Sequence, residues 1–205
     1  MCGRYYIDDE EDIIEMREII QELNEHFKDT PELAAMKTGE IFPTNIVPIL
    51  TAEGSNKRAD LMKWGYPRWD GSGVIINARA ETAIDKPMFK KGIESKRCIV
   101  PTTGFFEWKH ENEKAKKDKY LLRLKDDPML YLAGIYNTYK DKDGNPYSCF
   151  IILTTSANDS VKPIHNRMPV VLTESNKDIW LHDGQLSKML LNVEFDEALE
   201  LIAKI

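Results

Sequence analysis

The N-terminal part of the chain has a hydrophobic pattern with helical spacing. Within residues 10–27 the apolar side chains recur every three or four positions, at Ile13, Met16, Ile20, Leu23 and Phe27. Such spacing places one apolar stripe on one face of a helix, and charged residues fill the other face. The pattern therefore predicts an amphipathic helix over residues 10–27.

Between Ile46 and about Leu172 the pattern changes to short apolar runs bounded by Gly, Pro, Asp or Asn, which is typical of strands. The predicted strands are IVPIL, RADLMKW, GVIINA, RCIVP, YLLRLK, MLYLAGIYN, YSCFIIL and PVVL. The sequence DKDGNP at 141–146 predicts a hairpin turn between two of them.

Helical patterns return near the C-terminus, in SNKDIWLH and in EFDEALELIAKI. Together, the helical and strand patterns predict an α+β fold in which residues 1–205 form a single domain. We expect a many-stranded, mostly antiparallel sheet with a barrel-like core and peripheral helices. No apolar run is long enough to span a membrane, and the acidic N-terminus does not resemble a signal peptide, so we expect a cytoplasmic protein that does not associate with membranes.

The distribution of charge changes what the total charge implies. A formal net charge of -6 argues against a general polyanion binder, because affinity for phosphates requires clustered Lys and Arg. Residues 63–125, however, carry 15 basic and 8 acidic side chains. An acidic body with one basic segment leaves room for a local phosphate track, although the segment also contains the lysine-rich stretch KHENEKAKKDK, which a solvated loop would explain equally well.

The cysteines and histidines predict no disulfide and no metal site. The chain has three cysteines and no CxxC motif, which indicates a reducing compartment. Cys98 and Cys149 lie in apolar, strand-like segments and are expected to be buried, inert thiols. The four histidines show no metal-ligand spacing, so we expect no zinc, and nothing in the sequence calls for a cofactor.

Cys2 is a candidate nucleophile because a small second residue normally permits removal of the initiator methionine. The new α-amine would have a pKa near 7.7–8.0, against about 10.4 for a lysine, so a useful fraction is neutral at pH 7. Such an amine condenses with an aldehyde to a Schiff base, and the neighbouring thiol can then close a five-membered thiazolidine. The alternative is that Cys2 is simply the residue after Met1, buried or inert.

Two polar segments follow predicted strands. In NARAET, Asn77 can orient a substrate and Arg79 offers a planar fork for a phosphate or carboxylate, but a capping turn with an Arg79–Glu81 ion pair fits as well. In GFFEWK, Glu107 lies between large aromatic residues, where burial would raise its pKa toward the range useful for acid–base catalysis. The alternative is an exposed Glu on an edge strand.

A third polar segment, KPIHNRMP, contains His165 and Arg167, which point to the same side if the backbone is extended. His165 can transfer protons near pH 7, and Arg167 can hold an anion. A lone histidine is also often a structural residue, so both interpretations stay open.

Taken in order, these segments resemble the SOS-response-associated peptidase (SRAP) family. The resemblance is carried by MCGR, by Trp64-Gly65, and by three longer blocks at residues 77–82, 98–109 and 165–172, namely NARAET, CIVPTTGFFEWK and HNRMPVVL. It implies an enzyme that senses abasic sites in single-stranded DNA and crosslinks to them covalently through a thiazolidine at Cys2, which shields the lesion during the DNA damage response.

The resemblance also implies roles for individual residues. Cys2 is the nucleophile, Asn77 positions the N-terminus or the sugar, Glu107 is the acid–base group, and His165 exchanges a proton with the sugar hydroxyl. The expected DNA contacts comprise phosphate-binding arginines, aromatic residues that support bases or sugars, and further groove residues: Arg4, Arg79, Arg167, Trp64, Trp69, Phe106, Pro43 and Met168.

The implied partner is single-stranded DNA that contains abasic sites, and we expect a monomer without metal or cofactor. Two other functions remain open from the sequence. One is an N-terminal-cysteine peptidase that acts on its own propeptide or on another protein. The other is a non-covalent single-stranded DNA-binding module in which Cys2 is incidental.

Overall fold

The computed structural model describes residues 2–10, 13–109, 118–191, 195 and 199–204. Within these ranges the chain forms six helices: α1 Ile14–His26, α2 Pro31–Ala34, α3 Ala80–Ala83, α4 Pro87–Ser95, α5 Lys177–His182 and α6 Leu186–Leu190. The strands of the same ranges are β1 Arg4–Ile7, β2 Gly39–Ile41, β3 Ile46–Glu53, β4 Asn56–Trp64, β5 Tyr66–Pro67, β6 Val74–Ile75, β7 Asn77–Arg79, β8 Arg97–Thr102, β9 Gly104–Lys109, β10 Asp118–Leu124, β11 Leu130–Lys140, β12 Pro146–Ser156, β13 Arg167–Pro169, β14 Val171–Leu172 and β15 Leu199–Lys204.

Five strands close into a barrel. Neighbours pair in the order β12, β4, β3, β8 and β11, and β11 pairs again with β12 to complete the ring. All of these pairings are antiparallel except that of β4 with β12. The short strands β13, β14 and β7 extend the sheet at β12 and β11. The predicted α+β fold with a barrel-like core is confirmed.

A second sheet has the order β15, β10, β9, β1 and β2, and it joins the barrel through the corner between β8 and β9. At this corner the carbonyl of Tyr6 accepts three hydrogen bonds, from Thr102 Oγ1 at 2.6 Å and from the backbone and hydroxyl of Thr103 at 2.9 and 3.0 Å. The next residue must be small, since a Cβ on Gly104 would lie 2.8 Å from the carbonyl oxygen of Leu122. The corner therefore fixes β9 against β1.

Helix α1 lies within the predicted range of residues 10–27 and packs its apolar face on β3 and β4. Met16, Ile19 and Leu23 are buried there. The carboxylate of Glu22 also accepts a hydrogen bond from the backbone N–H of Ala59 at 2.9 Å, which fixes the helix relative to β4.

The eight predicted strand segments are all strands or pairs of short strands, and the turn at 141–146 joins β11 to β12 as expected, with Gly144 in the left-handed region. The helix predicted in SNKDIWLH is also present as α5. None of the helices in the described ranges is both long and apolar enough to cross a membrane. The lysine-rich stretch 110–117 lies outside the described residues.

The helix predicted for EFDEALELIAKI is wrong over Leu199–Lys204, which forms β15. This strand pairs with β10 in an antiparallel register, with an irregularity between Leu121 and Leu122. Strand β10 would otherwise leave one edge of backbone donors and acceptors open, and pairing along that edge overrides a local helical preference. The residues that precede Leu199 lie largely outside the described ranges.

Candidate active site around Cys2

Three of the predicted site residues come together just before β1. The side-chain Nδ2 of Asn77 donates a hydrogen bond of 2.7 Å to the backbone carbonyl of Cys2. The Cys2 side chain is fully buried, and its thiol contacts the carbonyl of Arg4 at a distance of 3.6 Å. We call Cys2, Asn77 and Glu107 the Cys2 site.

Asn77 is positioned from the barrel side. It begins β7, which pairs in parallel with β12, so that Asn77 lies opposite Ile152. The preceding carbonyl, of Ile76, accepts hydrogen bonds from the indole Nε1 of Trp64 at 3.1 Å and from the backbone N–H of Ile152 at 3.1 Å. These contacts hold the backbone from which the Asn77 amide reaches Cys2.

Trp64 therefore plays a different part from the predicted one. It is fully buried, with its ring stacked on Phe150 at a centroid distance of 6.4 Å and in edge contact with Tyr5 at 5.1 Å. A buried ring offers no face to a base, so its expected DNA contact is corrected to a role in packing and in anchoring Ile76. Gly65 follows in the left-handed region, where a Cβ would come within 2.8 Å of Val74.

Glu107 is positioned from the second sheet. Strand β9 lies between β1 and β10, and Arg4 pairs with Phe106, so the next residue, Glu107, lies beside the segment that leads from Cys2 into β1. Its side chain is only 1% exposed, and burial raises the pKa of the Glu107 carboxyl. The expectation of a buried carboxyl is confirmed, and the alternative of an exposed edge-strand Glu is wrong.

The three thiols are all buried and unpaired with one another. Burial raises the pKa of the Cys2 thiol well above its usual range, and the negative charge of Glu107 raises it further. Burial likewise raises the pKa of Cys149 to about 12 and that of Cys98 well above its ordinary value, which agrees with their expected inertness. At neutral pH the Cys2 side chain is therefore a neutral thiol rather than a thiolate.

His165 lies just before β13. Its backbone N–H donates to the carbonyl of Val161 at 3.1 Å, and its Nδ1 accepts a hydrogen bond of 2.9 Å from the backbone N–H of Arg167. The strand begins only at Arg167, so the condition of an extended backbone, on which the shared orientation of His165 and Arg167 depended, does not hold at His165. His165 Nδ1 also lies 3.2 Å from the carbonyl oxygen of Arg167, so both backbone polar groups of Arg167 face the same ring nitrogen.

Arg167 links this segment to the one that carries Asn77. Its guanidinium binds the carboxylate of Glu81 with two contacts, Nη1 to Oε1 at 2.5 Å and Nη2 to Oε2 at 3.0 Å. Nη2 also donates to the carbonyl of Thr154 at 2.6 Å. The bonds from Arg167 hold the pKa of Glu81 below its usual value. The ion pair suggested between Arg79 and Glu81 is therefore corrected to one between Arg167 and Glu81, while Arg79 is exposed.

Arg4 is also bound by a carboxylate. Its Nη1 donates to Glu40 Oε1 at 2.9 Å, and its guanidinium lies 4.2 Å from the ring centre of Phe42. Both oxygens of Glu40 accept hydrogen bonds of 2.8 Å from Lys119 Nζ, which in turn lies 4.0 Å from the ring centre of Phe106. Partial burial acts to raise the pKa of Glu40, but the bonds from Lys119 and Arg4 lower it overall.

The remaining predicted DNA contacts fall into two groups. Phe106 and Met168 are buried, so their expected contacts with DNA are corrected to packing; the Met168 sulfur accepts a hydrogen bond from the backbone N–H of Asn158 at 3.3 Å. Pro43 is half-buried in the connection between β2 and β3. Trp69 is 94% exposed at the tip of the turn between β5 and β6.

Sequence reasoning missed Glu40 and Lys119 and gave Glu81 the wrong partner. Glu81 carried a signal, because it lies within the NARAET block. Glu40 and Lys119 carried none, since 79 positions separate them and only the pairing of β2, β1, β9 and β10 in one sheet brings them together. In the part of the chain that the structure describes, no three His, Cys, Asp or Glu side chains are grouped as metal ligands.

A family comparison agrees with this arrangement of motifs. The family described as SOS response associated peptidase (SRAP) matches residues 1–202. The chain belongs to the SRAP family. The matched residues include every motif that forms the Cys2 site and the Arg167 segment.

SRAP relatives and one solved structure extend the likeness over most of the chain. Abasic site processing protein YoqW of Bacillus subtilis is 39% identical over 189 residues, covering 89% of this chain and 80% of the relative. Abasic site processing protein YobE of the same organism is 36% identical over 209 residues, covering 96% and 91%. A crystal structure of a Bacteroides thetaiotaomicron protein has a TM-score of 0.76 and 28% identity, covering 98% of this chain and 92% of that one.

Proposed function

We propose that this SRAP protein recognises abasic sites in single-stranded DNA and crosslinks to them through Cys2 after removal of Met1. The observation that carries the proposal is the hydrogen bond of 2.7 Å from Asn77 to the Cys2 carbonyl, with buried Glu107 beside the same segment. Polar groups from both sheets thus converge on the backbone of residue 2, which is where an N-terminal amine would react. The names of the YoqW and YobE relatives, as abasic site processing proteins, point to the same lesion.

The state of the thiol indicates that the amine reacts first. Because the pKa of the Cys2 thiol is raised, the thiol holds its proton, whereas an α-amine with an ordinary pKa is partly neutral at pH 7. The amine attacks the C1' aldehyde of the ring-opened sugar, and the carbinolamine loses water to give an imine. Glu107, whose pKa is raised by burial, donates the proton that leaves with this water.

The thiol then closes the ring. Because the proton that left with the water came from Glu107, the imine nitrogen still carries its own proton. The Glu107 carboxylate takes the thiol proton, the sulfur bonds to the imine carbon, and the C=N π electrons become the lone pair of the neutral ring nitrogen. The net reaction joins one aldehyde and one aminothiol to give a thiazolidine and one water, with no oxidation or reduction. A cyclic adduct resists hydrolysis better than an open imine, which would keep the lesion shielded from strand cleavage.

The neighbouring residues would bind the strand and open the sugar. His165 exchanges a proton with the sugar hydroxyl during ring opening and again during reversal. Arg4, Arg79 and Arg167 contact phosphates, and exposed Trp69 stacks on an unpaired base. In this proposal the chain acts as a single-domain monomer, with no metal or cofactor.

The proposal is tested by mixing the protein with single-stranded DNA that contains one abasic site, after intact mass has shown that Met1 is absent. We expect a heat-stable shifted band with the wild type and none with Cys2→Ala. Cys2→Ser should give only a reversible imine, which survives denaturation only after borohydride reduction. Cys149→Ala is the matched control, because it removes a buried thiol outside the Cys2 site and should leave the yield unchanged.

Other outcomes would support other functions. Absence of the adduct with processed wild-type protein overturns the proposal. Cleavage of peptides that depends on Cys2, without any adduct, would favour an N-terminal-cysteine peptidase. Salt-reversible binding that Cys2→Ala leaves unchanged would favour a non-covalent DNA-binding module.

A further inference from the structure

Two of the three arginines proposed to bind phosphate are occupied by carboxylates in the free protein. We infer that Glu40 and Glu81 are specificity-determining residues, which hold Arg4 and Arg167 until phosphates of a correctly placed DNA strand displace them. This inference rests on the proposed function, because it concerns the regulation of DNA binding at the same site.

Most hydrogen-bond donors of the Arg167 guanidinium already have acceptors within the protein. The paired Nη1 and Nη2 atoms face the two oxygens of Glu81, and Nη2 also binds the carbonyl of Thr154. The Arg167 side chain is 14% exposed, and its Nε is shielded from solvent. A phosphate therefore meets an arginine whose bidentate face is already filled.

Arg4 is held in a similar way on the second sheet. Glu40 binds Arg4 through one oxygen and Lys119 through both, so a single carboxylate neutralises two cations near Cys2. The ring of Phe42 lies against the Arg4 guanidinium and limits the directions from which another anion can approach. Removing the charge of Glu40 would release both cations for phosphate binding.

Both carboxylates are suited to exchange with phosphate. The hydrogen bonds that lower the pKa values of Glu40 and Glu81 keep them ionised at neutral pH. A carboxylate and a phosphate present similar pairs of oxygens to a guanidinium fork. The side chains of Glu81 and Glu40 are 40% and 28% exposed, so either can turn toward water when a phosphate replaces it.

The two carboxylates therefore weaken the binding of isolated or misplaced polyanions at Arg4 and Arg167. An isolated anion would have to displace a carboxylate that is already bound, and a displaced carboxylate then repels it. A strand that places phosphates at Arg4 and Arg167 together is favoured by both contacts. The carboxylates therefore lower general affinity for DNA and favour a strand that runs through the Cys2 site.

The test measures equilibrium binding to intact single-stranded DNA, which has no aldehyde and so cannot crosslink, over a range of salt concentrations. Glu81→Gln and Glu40→Gln are compared with the wild type. We expect each to bind roughly twofold to fivefold more tightly, the range that loss of a competing surface ion pair allows. The slope of log affinity against log salt should steepen by up to about 0.7 for each cation freed.

Glu53→Gln is the matched control. Glu53 pairs with Arg58 at 3.1 Å on the hairpin of β3 and β4, so the change removes one negative charge and one surface ion pair outside the arginines proposed to bind DNA. We expect its affinity and salt slope to match those of the wild type. Glu81→Asp should fall between wild type and Glu81→Gln, and thermal unfolding of each variant shows whether it is folded.

Equal or weaker DNA binding by folded Glu81→Gln and Glu40→Gln would overturn the inference, and so would an equal gain with Glu53→Gln. If the wild type crosslinks abasic DNA but the Gln variants bind no more tightly, only the inference fails. If the Gln variants bind more tightly but the processed wild type forms no crosslink, the proposed function fails and the inference stands. If no variant binds single-stranded DNA, both fail.

Discussion

Arg97 and Arg167 are both largely shielded arginines, but their partners differ in kind. Arg97 is 8% exposed and donates to four backbone carbonyls at the ends of α4 and α5, at distances from 2.5 to 3.0 Å. These carbonyls belong to Ile93, Glu94, Trp180 and Leu181. We call this arrangement the Arg97 junction. Arg167 instead binds a side-chain carboxylate and the carbonyl of Thr154.

The difference separates a structural arginine from an exchangeable one. The last carbonyls of a helix lack partners within the helix and carry partial negative charge, so a cation there stabilises both helix ends. Those acceptors cannot leave without unwinding α4 or α5. Glu81 can leave Arg167 by a side-chain rotation, so of these two arginines Arg167 is the one whose partner a ligand can replace.

The largest expected effect comes from a substitution that disrupts the Arg97 junction. Arg97→Met leaves four helix-end carbonyls without their donor, and we expect the free energy of unfolding to fall by about 3 kcal/mol or more. Arg167→Met should cost less, because the partly exposed Glu81 carboxylate regains water. Denaturant unfolding measures both, and an Arg97→Met loss no larger than that of Arg167→Met would contradict the distinction.

The next largest effect concerns the Cys2 site. Removal of a general acid–base group typically slows a reaction about 100-fold or more, so we expect Glu107→Gln to slow crosslinking by about that factor. The rate of adduct formation on abasic DNA, measured at several pH values, checks this. A Glu107→Gln rate within about twofold of the wild type would remove Glu107 from the chemistry.

Glu107 also affects how stability depends on pH. Its pKa is raised in the folded protein, so the folded state holds a proton that the unfolded state releases. Its contribution to stability is present below the ordinary glutamate pKa, about 4.3, and is lost as pH rises through the raised value. Glu107→Gln removes this pH-dependent loss of stability, so the variant should become more stable relative to the wild type as pH rises. Denaturant unfolding at several pH values measures the difference. A difference that does not change with pH would contradict the raised pKa.

The sequence predicted the barrel strands well because their apolar runs are buried and their turns carry strong local signals, as in DKDGNP. It also located Cys2, Asn77 and Glu107, since each lies in a short block of a recognisable family. It predicted a helix over Leu199–Lys204, which forms a strand, because pairing with β10 determines the secondary structure of that segment. It placed Trp64, Phe106 and Met168 on the surface because residue type alone does not show which face of a strand is buried.

The smallest expected effect contrasts Trp69 with buried Trp64. Trp69 is 94% exposed, so Trp69→Ala should change the free energy of unfolding by less than about 0.5 kcal/mol. Loss of one stacked base should weaken binding to single-stranded DNA by about 1 kcal/mol, or roughly fivefold. Met189→Ala, which alters an exposed apolar residue on α6, is the control for both measurements. Unchanged binding by Trp69→Ala would exclude the stacking role.

The most direct test of the central claim is the intact mass of the adduct on a short oligonucleotide with one abasic site. We predict the mass of the protein without Met1 plus that of the oligonucleotide, less one water, with the attachment mapped to Cys2. An imine has the same mass as a thiazolidine but gains two hydrogens on borohydride treatment, whereas the thiazolidine does not. An adduct that gains two hydrogens, retains Met1 or maps to another residue would contradict thiazolidine formation at Cys2.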